Sequence, residues 1–230
     1  MNASKGLIIL CLFAGRVSAQ HDTGNLGIKP AGLGIEETSS GHLVNPPYRG
    51  SCRELLVFFP GHAQEIGLKG SVPQNRRRAW LNQLLDSQAY HLRSTIENAG
   101  CPVLVLGDSQ STVSAADLEA LLKKLGLSSL SLLSHSGGNI GLSASVAAWP
   151  PSFLQKVSAI KLLDNFYSAS LAHNLEKAFG LQKLEKICTG FVTAHNFDRF
   201  EKFYRNLCPR VRRSTESGAH KTWVKKYFSE

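Results

Sequence analysis

The chain has 230 residues and a formal net charge of +9, with 43% hydrophobic and 19% charged residues. That length and apolar content suit one folded domain with a sizeable core. They exclude a disordered chain, which needs low hydrophobicity and high charge density. No internal repeat and no low-complexity tract is present.

Residues 1–19 read as a secretory signal peptide. Lys5 supplies the positive n-region, residues 6–15 the apolar h-region, and Val17-Ser18-Ala19 a cleavage site before Gln20. The apolar run is too short to span a bilayer and no other segment is long and apolar enough, so export to a periplasm or beyond is expected, without stable membrane insertion. Cleavage removes Lys5 and Arg16 and no acid, lowering the charge from +9 to +7. Such a balance can favour an anionic surface, for instance envelope polymers or acidic lipids. The basic clusters, Arg76-Arg77-Arg78 and residues 210–213, lack interleaved stacking aromatics. No nucleic-acid partner is expected, and a solvated basic face is the plainer reading.

Residues 20–50 are rich in Gly, Pro, Ser and Asn and read as an irregular arm or weak early strands ahead of a domain over 51–230. The run 55–59, Leu-Leu-Val-Phe-Phe, is a buried strand stopped by Pro60-Gly61. Apolar residues at helical spacing, from Trp80 through Leu84, Leu85 and Leu92 to Ile96, predict a helix over 77–99. A second buried strand, 103–106, ends at Gly107-Asp108. Ser114 caps a helix running to Leu125. An apolar run over 127–133 leads into Ser134-His135-Ser136-Gly137-Gly138 and then a small-residue helix over 139–148. After Pro150-Pro151 come a strand over 157–163, a helix over 171–179, a strand over 187–193 and an amphipathic helix over 197–207. A short strand near Val211 and a final helix over 222–228 complete the chain. Strands alternating with helices predict an α/β class: a mostly parallel central sheet with helices on both faces, a three-layer sandwich.

Cys11 leaves with the signal peptide, and the four cysteines that remain suggest disulfides in an exported chain. Cys52 and Cys101 each precede a parallel strand and so lie at the same end of the sheet. Cys188 starts a later strand, and Cys208 ends the helix that returns from it. The expected pairs are Cys52–Cys101 and Cys188–Cys208. No C-x-x-C spacing is present, so neither a zinc site nor a thiol-exchange motif is indicated.

The chemistry is carried by the turn at 134–138. A strand, a sharp turn with serine at its apex and a small-residue helix make a nucleophile elbow. The usual pattern is G-x-S-x-G; here Ser134 takes the first glycine's place and Gly138 the last. Serine needs a base, an acid to orient the base, and donors for an oxyanion. Asp164, directly after the apolar strand 157–163, is either a helix cap or the acid; Asp198 is the alternative acid. His220, beside Gly218 in a late loop, is the expected base, with His195 as its competitor. His135 should point away from the pocket, and His173 is a surface residue. Backbone N–H groups of Gly137 and of the loop at Gly61 and His62 are the expected oxyanion donors.

Together, residues 134–138, Leu163-Asp164 with Tyr167, Pro60-Gly61-His62 and Ala219-His220 resemble the α/β-hydrolase superfamily, over most of residues 54–228. The resemblance looks like a small exported branch whose acid follows the strand after the elbow. It implies a Ser-His-Asp hydrolase that forms an acyl-enzyme, without cofactor or metal, acting on a small-molecule or polymeric ester or amide. No long insertion separates Asp164 from His220, which predicts an open site without a lid. The competing expectation is a non-catalytic protein on the same scaffold that holds an anionic envelope polymer.

Overall fold

The computed structural model describes residues 33–46, 52–61, 77–87, 92–165 and 169–214. Eight strands form one sheet: β1 (Gly34–Glu37), β2 (Gly41–Asn45), β3 (Glu54–Phe59), β4 (Val103–Leu106), β5 (Ser129–His135), β6 (Val157–Leu163), β7 (Cys188–Thr193) and β8 (Arg210–Ser214). Their order is β1-β2-β4-β3-β5-β6-β7-β8. The pairs β1/β2 and β2/β4 are antiparallel and the others parallel. The predicted mostly parallel sheet is therefore present. The chain steps from β3 to β4 on one side and then crosses to β5 on the other. That reversal opens a crevice beyond the carboxyl ends of the central strands.

The strands read as apolar runs because both of their faces are covered. Alternate residues of β3 separate cleanly. Leu55, Val57 and Phe59 join the larger core with α3 (Ala115–Leu125), α4 (Asn139–Ala148) and α6 (Ala169–Phe179). Leu56 and Phe58 join the smaller core with α1 (Arg77–Asp86) and α2 (Leu92–Ala99). This is the expected three-layer arrangement. Ser114 caps α3 by accepting the Asp117 N–H at 3.0 Å, and Gly126 at φ 67° ends it.

The described part of the 20–50 arm holds β1 and β2, the early-strand alternative for that segment, made by pairing with each other and with β4. Other elements differ from the sequence reading. The helix expected over 77–99 contains two, α1 and α2, since the apolar period lapses after Leu85 and Ser87 N–H closes the last turn on Leu84. A short α5 (Pro151–Leu154) begins on the second residue of the double proline. The stretch before β7 forms α7 (Leu181–Ile187), set off from α6 by Gly180 at φ 69°. The helix Ala194–Leu207, α8, starts three residues earlier than expected. The signal segment and the helix expected over 222–228 lie outside the described residues.

The amino ends of the strands are tied together. Disulfides join Cys52 before β3 to Cys101 before β4, and Cys188 of β7 to Cys208 after α8, the two pairings expected. Glu54 accepts from Ser158 at 2.6 Å and from Ser131 at 2.8 Å, linking β3, β5 and β6. Among the described residues, no helix is long and apolar enough to cross a membrane.

Candidate active site

β5 lies at the centre of the sheet, paired with β3 from Ser129 to Ser134 and with β6 on its other side. At its carboxyl end the chain makes one 3₁₀ turn, Ser136–Gly138, and enters α4. Ser136 has φ 48°. A left-handed serine is strained by roughly 1–2 kcal/mol and persists only where its surroundings hold it.

Those surroundings are the loop after β3. A methyl group on Gly138 would stand 2.2 Å from the Phe59 carbonyl oxygen and 2.7 Å from that of Pro60. Glycine is required there for close approach, its own φ being an ordinary −61°. One turn on, a methyl on Gly141 would meet the Ser111 carbonyl at 2.3 Å. Small residues thus let the elbow press against the strand end that leads into Gly61. Gly61 and Gly137 are both buried, and the two backbone segments expected to supply oxyanion donors adjoin.

Asp164 follows β6 directly and is also left-handed, at φ 47°. It is 1% exposed. Its N–H donates to the Phe191 carbonyl at 2.6 Å. Its Oδ1 accepts the Thr193 N–H at 3.0 Å and the Thr193 hydroxyl at 3.2 Å. The carboxylate is therefore anchored to the end of β7. Asn165, next along, donates from Nδ2 to Ser134 Oγ at 2.6 Å. Thr193 and Asn165 escaped the sequence reading. Their signal was a polar residue ending a buried strand (Thr193) or directly following one (Asn165).

Ser136 and Asp164 thus lie at the carboxyl ends of neighbouring strands, where His135 of β5 pairs with Leu163 of β6. The expected base His220 and the loop residue His62 lie outside the described residues, as does Tyr167. The alternative acid Asp198 is exposed on α8, whose first turn carries His195. His135 is buried, and His173 is exposed on α6. Ser136 has no solvent-exposed surface.

Comparison with solved structures finds a predicted CIB-like hydrolase from Thermoplasma acidophilum. It is 14% identical, with a TM-score of 0.51 over 85% of this chain and 93% of that one. The chain has an α/β-hydrolase fold. Brefeldin A esterase, described as a bacterial homologue of human hormone sensitive lipase, is 13% identical over 87% of this chain and 74% of its own, with a TM-score of 0.49. No family model and no curated protein matches the sequence. At such identity the likeness establishes the α/β-hydrolase fold alone.

Proposed function

We propose that this α/β-hydrolase-fold protein is an exported serine hydrolase cleaving a carboxylic ester or an amide. One observation carries the reading. Among the described residues, two non-glycine residues have positive φ, and they are Ser136 and Asp164. These are the residues that the elbow motif and the end of an apolar strand mark as nucleophile and acid. Left-handed strain of this kind concentrates at working sites, where it aims a side chain that a relaxed backbone would turn away.

In the proposed reaction Ser136 Oγ attacks the carbonyl carbon while His220 takes its proton. Asp164 orients His220 and stabilises the imidazolium. The N–H groups of Gly137 and of the Gly61–His62 loop receive the oxyanion. Collapse expels the alcohol or amine with the proton from His220, and water then releases the acyl group by the same steps. No metal or cofactor enters this scheme. The two disulfides support an oxidising compartment, in line with export.

The test is turnover of a panel of acyl esters and peptide amides by the parent protein and by Ser136→Ala. The variant is expected to keep its circular dichroism spectrum and lose at least about 10³-fold in kcat/KM. Full activity in the variant refutes the assignment.

A second reading rests on charge distribution. Residues 177–214 hold nine basic and three acidic side chains, six of the chain's nine net positive charges. Arg210, Arg212 and Arg213 are exposed on β8, the last strand in the sheet order. This edge suits a polyanionic envelope polymer, whether or not the protein also hydrolyses esters. Retention on such a polymer should fall steeply with salt and persist in Ser136→Ala.

A further inference from the structure

The triad leaves one feature of the elbow unexplained: a serine where the common motif has glycine. Ser134 is fully buried in β5, opposite Phe59 of β3 and Leu162 of β6. Its Oγ receives the Asn165 Nδ2 hydrogen bond at 2.6 Å, and Asn165 is fully buried too. The Asn165 Oδ1 has no hydrogen-bond partner. An unpaired buried acceptor costs stability that an apolar residue would not, and what the amide contributes in return it contributes through its donor.

The surrounding bonds show what that is. The sheet ladder between β5 and β6 ends at His135 and Leu163. Beyond it the chain turns at Asp164, whose N–H and carboxylate bond to Phe191 and Thr193 of β7, away from the elbow. Asn165 supplies a tie in the other direction, to β5, two residues before Ser136.

We propose that Ser134 and Asn165 form a positioning pair that fixes the acid-bearing turn against the nucleophile-bearing turn. The proposal rests on the reading of Ser136 and Asp164 as nucleophile and acid. On this account the serine is no blemish in the motif: it is the acceptor that glycine cannot offer. Neither residue touches substrate; both act through the spacing of the two strained turns.

The test uses Ser134→Ala, Asn165→Ala, the double variant and Ser134→Gly in the full-length protein. Ser134→Cys, slightly larger and a much weaker acceptor, should lose activity like the alanine variant and stands in for it should that one fold poorly. Each single variant is expected to lower kcat about tenfold with KM within about twofold, and the double variant to lower it about tenfold rather than about a hundredfold. Ser134→Gly, although it restores the common motif, should lose activity like the alanine variant. The acid limb of the kcat/KM profile should move to lower pH, because a loosened carboxylate stabilises the imidazolium less. A merely structural bond would lower thermal stability and leave that limb in place. Undiminished kcat in Ser134→Gly, an unmoved acid limb, or losses that multiply in the double variant would overturn the pair while Ser136-dependent turnover stands. Absence of Ser136-dependent turnover in the parent protein would overturn both readings.

Discussion

The two ends of the central strands are built differently. At the carboxyl ends Ser136 and Asp164 sit in left-handed backbone, buried polar side chains gather, and glycine permits a carbonyl contact no other residue could make. At the amino ends the strands begin from ordinary backbone. They are joined by two disulfides and by the Glu54, Ser131 and Ser158 hydrogen bonds. Strain at one end needs a framework that does not yield, and covalent and charged ties at the other supply it. The account therefore expects changes at the carboxyl ends to cost activity before stability, and changes at the amino ends the reverse.

The largest expected effect after loss of Ser136 itself is from Asp164→Asn. It should lower kcat by roughly 10²–10⁴ with modest loss of stability, since the amide oxygen can still accept from Thr193. Steady-state kinetics beside thermal melting would show it. Next comes Gly138→Ala, whose methyl must displace the end of β3. A displacement of about 1 Å at the elbow should cost about 10² in kcat/KM.

At the amino ends, loss of either disulfide should leave kcat at low temperature nearly unchanged. The bridges close loops of different length, Cys52–Cys101 spanning 49 residues and Cys188–Cys208 spanning 20. Chain entropy puts their contributions at about 4 and about 3 kcal/mol, or roughly 10 °C in Tm, with the longer loop costing more when opened. Replacing both cysteines of one bridge by serine and melting each variant checks the order. Smallest is Glu54→Gln, expected to cost about 1 kcal/mol in chemical denaturation, with no change in kinetics. Should that substitution impair turnover, the division between the two ends would fail.

How much of this was legible in the sequence follows from which forces are local. β4, β6 and the elbow helix α4 have the bounds their residues predict, because apolar runs and small-residue patterns are short-range signals. The disulfides followed from counting strand ends. β1 and β2 read only as weak strands or irregular arm, since Gly34–Glu37 and Gly41–Asn45 are strands through pairing with each other and with β4. The Ser134–Asn165 bond was invisible for the same reason: its partners lie 31 positions apart and meet only when β5 and β6 align. The sharp turn at Ser136 is legible in the motif. The left-handed turn at Asp164 is not, since no glycine marks it.

The central claim is that Ser136 is an activated nucleophile. The most direct measurement is mass spectrometry of the protein after reaction with a fluorophosphonate, with the adduct mapped to its peptide. The account predicts one added phosphonyl group, on Ser136, and none in Ser136→Ala. An unmodified parent protein, or an adduct that persists in that variant, would contradict it.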